Sequence, residues 1–88
     1  MKLVWSDHAW EDYLDWHGTD GKTFQRLNDL IQECRRTPFK GTGKPEPLKG
    51  ALQGWWSRRI TQVDRLVYRV EGKGDDQRLE IAQCRQHY

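Results

Sequence analysis

The chain has 88 residues, enough for one small domain, expected to span residues 1–88. Hydrophobic residues make up 35% of it, and no stretch approaches the roughly 20 apolar residues of a membrane span; Met1 to Trp5 leads straight into charged sequence without the apolar centre of a secretion signal, so a cytoplasmic protein is expected. The net charge of +2 conceals a division: residues 1–39 carry five Lys/Arg against seven Asp/Glu, residues 40–70 seven against two, and residues 71–88 three against four.

Lys2 to Trp5 is short and β-favouring and reads as a first strand. Ser6 or Asp7 can cap a helix in which Trp10, Tyr13, Leu14 and His17 recur at helical spacing. Gly18-Thr19-Asp20-Gly21 breaks that pattern and offers a second cap. The next helix carries Phe24, Leu27, Leu30, Ile31 and Cys34 on one stripe and ends before Thr37-Pro38.

From Phe39 to Gly54, four glycines and two prolines forbid a long helix and suggest an ordered loop around a short extended piece. Trp55 to Thr61 and Arg65 to Val70 have strand composition, and the tight link Gln62-Val63-Asp64 makes them a hairpin. Gly72 to Asp76 is a turn, and Leu79 to Arg85 a last strand. The order β-α-α-β-β-β predicts an α+β fold, with two N-terminal helices packed on one face of a largely antiparallel sheet. Cys34 and Cys84 have no metal-like spacing and read as reduced core residues; no metal site and no cofactor are expected.

The basic middle of the chain, interleaved with Trp55, Trp56 and Tyr68, could hold a phosphate backbone and stack bases; a solvated charged sheet face is the plain alternative. Cleavage of RNA through its own 2′-hydroxyl needs a base, an acid and a cation for the phosphate. Glu46, between two prolines and near Lys44 and Lys49, could be the base, or an ordinary loop carboxylate paired with those lysines. Arg59 and Arg65 flank the hairpin turn, and guanidinium forks match phosphate oxygens. Arg58 and Arg59 alternate along a strand, so only one of them can face a given site. His87 has the titration range of a general acid but stands one residue from the end, where chains fray. His8 and His17 fall in the first helix, where surface or packing roles fit better.

Several blocks of sequence closely resemble the YoeB (Txe) toxins of the RelE/YoeB superfamily. They are Lys2-Leu3-Val4-Trp5-Ser6, Arg35-Arg36-Thr37-Pro38-Phe39, Gly43-Lys44-Pro45-Glu46-Pro47-Leu48-Lys49, Gly54 to Thr61, Arg65-Leu66-Val67-Tyr68 and Cys84-Arg85-Gln86-His87-Tyr88. The resemblance runs over essentially the whole chain. It implies a microbial-ribonuclease-like RelE toxin fold and the toxin half of a type II toxin–antitoxin pair, cutting messenger RNA in the ribosomal A site without metal. On matching positions, Glu46 would be the general base, His87 the general acid and Arg65 the phosphate stabiliser. Arg59 and Lys49 would support the phosphate, and Tyr88 would help order substrate or site. The implied partners are a YefM-like antitoxin, the ribosome with its mRNA, and a second copy in a homodimer. Departures from the family pattern fall at the turn Gln62-Val63-Asp64, at the slightly long turn Gly72 to Gln77, and at Gln86, where an aromatic is expected.

Two other functions fit the same outline. One is a non-catalytic ParE-like inhibitor of DNA gyrase; the other is a plain RNA-binding module. The Glu46, Arg65 and His87-Tyr88 set argues against the first, because ParE-like toxins lack it at matching positions.

Overall fold

Helix α1 (Asp7–Thr19) starts where the sequence offers a cap: the Ser6 hydroxyl accepts the Ala9 amide at 3.0 Å, and Asp7 stands in the positive first turn. The architecture is that of a computed structural model in which residues 1–86 are described. Asp20 ends α1 by donating its backbone N–H to the Trp16 carbonyl, and caps α2 (Gly21–Arg36) by accepting the Thr23 amide at 3.1 Å. One residue thus closes one helix and opens the next. Leu27, Leu30, Ile31 and Cys34 of α2 are buried on one stripe, and Arg35 and Arg36 complement the negative end of its dipole.

The strands are β1 (Lys2–Trp5), β2 (Glu46–Pro47), β3 (Trp56–Arg59), β4 (Arg65–Glu71) and β5 (Arg78–Gln83), in the sheet order β1-β5-β4-β3-β2. Among the described residues only the β1–β5 pair is parallel, and both helices lie between β1 and the rest of the sheet in sequence, as a parallel crossover needs. The expected α+β layering is present, with one strand added. The extended piece at Glu46-Pro47 pairs with β3 at the edge of the sheet, where a proline's missing N–H costs no ladder bond. Strand β5 ends at Gln83, earlier than composition suggested, and the 3-10 turn Gly74–Asp76 shapes the link before it.

Alternation divides the sheet into two faces. Leu66, Tyr68, Leu79 and Ile81 point toward the helices and join Ala9, Leu27, Leu30, Ile31, Cys34, Ile60 and Cys84 in the core. Both cysteines are free and buried, as expected of reduced core residues. Burial pushes the Cys34 thiol up to about 11 and raises that of Cys84 further. Along the outer edge of the core, Trp5, Trp10, Tyr13 and Phe24 form a run of aromatic contacts with centroids 4.8 to 5.6 Å apart, and His17 meets Phe24 edge-on, a packing role. Among the described residues no helix is long and apolar enough to cross a membrane.

Candidate active site

Among the described residues both α-helices pack on one face of the sheet, and the strand register decides which side chains share the other. Glu46 pairs with Ser57, Ser57 with Val67, and Val67 with Gln83, one row across β2, β3, β4 and β5. Arg59 and Arg65 oppose each other two residues further along β3 and β4 and therefore stand on the same face, about 7 Å along the strands from that row. Three of the expected site residues, Glu46, Arg59 and Arg65, are thereby brought to one surface. Lys49 is exposed just after β2, where it precedes the 3-10 turn Gly50–Leu52. His87 and Tyr88 lie outside the described residues.

Glu46 is exposed and, among the described residues, forms no ion pair with Lys44 or Lys49. Arg59 is exposed too, and its main chain anchors the loop that carries Glu46: its N–H donates to the Gly43 carbonyl at 2.7 Å. That approach requires glycine. Gly43 has φ +85°, and an added Cβ would stand 3.1 Å from the Arg59 carbonyl oxygen.

Arg65 is only 8% exposed, yet no carboxylate among the described residues pairs with it. Its Nη1 reaches the carbonyls of Thr61, Gln62 and Asp64 at 3.4, 3.4 and 3.5 Å, at the weak end of hydrogen bonding. The result is a positive fork held by the hairpin turn, with no carboxylate partner among the described residues and only long contacts to carbonyls.

Arg58 faces the other way. It is fully buried, paired with Glu33, and donates to the Lys40 and Thr42 carbonyls at 2.9 and 3.1 Å and to the Tyr68 hydroxyl at 3.2 Å. It also donates to the Thr37 carbonyl. Arg58 is the residue that fastens the 37–43 loop to the core, and Arg59 is the one that faces the candidate site. The Thr42 backbone N–H does most to hold the Glu33 carboxyl below the usual carboxylate range; partial burial opposes it, and the Thr42 hydroxyl and Arg58 add to the lowering.

The expectation that Trp55, Trp56 and Tyr68 together could stack bases needs correction, because strand alternation separates them. Tyr68 is fully buried in the core, and burial raises its hydroxyl pKa. Trp56 packs toward the helices and against Phe39 at 4.8 Å. Of the three, Trp55 alone lies on the face opposite the helices, its ring under the Arg69 guanidinium at 4.4 Å.

Other contacts were not visible in the sequence. Past the end of β5, the Cys84 amide donates to the buried carboxylate of Asp12 at 3.1 Å, the Trp16 indole donates to the Cys84 carbonyl at 2.7 Å, and Arg85 pairs with Asp15 at 2.9 Å. The Arg65 amide donates to the Gln86 carbonyl at 3.1 Å, which brings the C-terminal segment beside the site. Asp12, Asp15 and Trp16 share a helical stripe, the one signal that could have marked them as a set. Among the described residues no group of three or more His, Cys, Asp and Glu side chains is placed to hold a metal ion.

A sequence profile described as the YoeB-like toxin of bacterial type II toxin–antitoxin systems matches residues 5–88. The chain belongs to the YoeB family. It is 56% identical over 88 residues to the toxin YoeB of Escherichia coli strain K12, with both chains covered in full. A solved structure named YoeB/ParE toxin from Agrobacterium tumefaciens superposes with a TM-score of 0.96 at 58% identity, again covering both chains completely. The YoeB of Staphylococcus aureus, solved in a complex with YefM, gives a TM-score of 0.86 at 37% identity, covering 100% of this chain and 98% of that one. A YoeB dimer from S. aureus gives 0.83 at 38%, with the same coverage. The protein is a toxin of a type II toxin–antitoxin system.

Proposed function

We propose that this YoeB-family chain is a single-domain, metal-independent endoribonuclease that cuts messenger RNA in the ribosomal A site and so stops translation. The observation that carries the reading is the shared face: Glu46, Arg59 and Arg65 stand together on the side of the sheet opposite the two helices, and the segment leading to His87 is hydrogen-bonded to the backbone of Arg65. Glu46 takes the 2′-hydroxyl proton, or orients that hydroxyl, as its oxygen attacks the neighbouring phosphorus. Arg65, with Arg59 and Lys49 around it, stabilises the charge that develops on the phosphate oxygens. The bond to the 5′-oxygen breaks as His87 supplies it with a proton, leaving a 2′,3′-cyclic phosphate and a 5′-hydroxyl. Tyr88 orders the substrate or the site.

The cytoplasm is its place of action. A YefM-like antitoxin is its partner, and it forms homodimers, in keeping with the S. aureus complex and dimer. The test is cleavage on ribosomes programmed with a known A-site codon, with the new 5′ ends mapped at nucleotide resolution. Cuts within the A-site codon are expected, and they should persist in EDTA when polyamine keeps the ribosomes intact. Strict dependence on one cation beyond ribosome integrity would overturn the metal-free chemistry. The A. tumefaciens structure's double name gives a second reading, a ParE-like binder without catalysis. Growth arrest unchanged by His87→Ala, with mRNA uncut, would favour that binder.

A further inference from the structure

The chain's last described residue is held more firmly than a terminus usually is. Gln86 has φ +63°, a left-handed conformation that a residue with a side chain keeps only where its surroundings impose it. Here they do so from both sides. Its amide donates to Asp64 Oδ1 at 2.6 Å, and its carbonyl accepts the Arg65 amide at 3.1 Å. Asp64 is itself fixed: the Thr61 hydroxyl donates to its other oxygen at 2.7 Å, and its own amide donates back to Thr61 Oγ1 at 3.0 Å. At 8% exposure this carboxylate is nearly out of water, so its partners are structural necessities. One hairpin turn therefore both carries the Arg65 guanidinium and grips the chain one residue before His87.

We propose that Asp64 is a positioning residue: by locking Gln86 in its left-handed turn, it sets the course on which the chain enters His87, the acid of the proposed reaction. The proposal rests on the reading of His87 as the general acid. An acid works only within hydrogen-bond reach of its leaving group, and displacement by about 1 Å can cost on the order of 10²-fold. Strand pairing cannot supply that control, since β5 stops at Gln83. The Asp12 and Trp16 contacts at Cys84 fix the approach, and Asp64 fixes the direction in which the chain leaves Gln86.

The test uses four variants of the full chain, with His87→Ala as reference, on programmed ribosomes. Asp64→Ala and Gln86→Pro, which removes the amide donor and forbids positive φ, should each lower kcat by about 10- to 100-fold with KM little changed. Asp64→Asn, which can still accept the Gln86 amide, and Gln86→Gly, which keeps the donor and permits positive φ, should retain most activity. The heteronuclear NOE of the residue 86 and 87 amides should fall in Asp64→Ala while the core amides keep theirs. Gln86→Pro keeps every hairpin residue and the Thr61–Asp64 bonds, so with circular dichroism confirming its fold it decides the matter even if Asp64→Ala folds poorly. A fully active Gln86→Pro beside an inactive His87→Ala overturns the clamp and leaves the acid in place. An unchanged NOE in folded Asp64→Ala also overturns the clamp. If His87→Ala cleaves normally, the acid assignment fails, and the positioning role falls with it.

Discussion

Arg58 and Arg65 stand on opposite faces of one hairpin, both nearly sealed from solvent, at 0% and 8% exposure. On the helix side, Arg58 meets a carboxylate, three carbonyls and a hydroxyl, so its charge is neutralised and its donors are used. On the side without helices, the Arg65 guanidinium touches, among the described residues, only carbonyls at 3.4 Å and beyond. Burial alone therefore does not mark a structural arginine. The completeness of its partners separates the two: among the described residues the first spends its hydrogen-bonding capacity on the fold, and the second does not, as the proposed phosphate-binding role requires.

The largest effects expected from breaking this contrast lie on the side opposite the helices. Deleting His87 and Tyr88 should abolish mRNA cleavage, and Arg65→Ala or His87→Ala should each lower it on the order of 10²-fold or more, with circular dichroism unchanged. Cleavage near the wild-type rate in a folded variant would remove that residue from the site. Antitoxin pull-down should still recover the truncated chain, because loss of two residues leaves the sheet and helices whole.

Arg58→Ala should show the opposite signature. It orphans buried carbonyls and leaves a cavity against Tyr68, so urea denaturation should reveal a loss of about 3 kcal/mol. Whatever fraction stays folded should cleave at close to the normal rate. An Arg58→Ala protein of unchanged stability but poor activity would reverse the assignment of the two arginines.

A smaller effect comes with acid. Glu33 has its carboxyl pKa lowered from 4.5, so its contribution to stability is complete above about pH 4.5 and is lost as pH falls through the lowered value. The stability gap between the wild type and Glu33→Gln should therefore be widest near neutrality and narrow below pH 4.5. A gap constant through the acid range would mean that the Glu33 charge does nothing for Arg58.

Much of the architecture was legible because its signals are local. Ser6 and Asp20 cap within three residues, the Leu27 to Cys34 stripe repeats at helical spacing, and the hairpin strands alternate. The edge strand at Glu46-Pro47 was legible only as an extended piece, since two residues carry no period. Alternation showed that Arg58 and Arg59 must part, but not which faced the helices. That depends on Glu33, 25 positions away in sequence. The tail anchors were hidden for the same reason: Asp12 meets Cys84 across 72 positions, and Asp64 meets Gln86 across 22. In the sequence Asp64 is simply a turn residue.

The two thiols sit on either side of this division of labour. Cys34 lies among the groups around Arg58 and Tyr68, and Cys84 lies under the tail, where its sulfur contacts the Ala9 carbonyl at 3.5 Å. With both pushed toward the protonated form by burial, neither offers appreciable thiolate at neutral pH while the protein is closed. A thiol reagent can thus label each cysteine only when its own neighbourhood opens. Labelling rates at the two positions become independent clocks, Cys34 timing the opening of the structural half and Cys84 that of the segment that leads to the site. Asp12→Asn should quicken the second clock and leave the first alone.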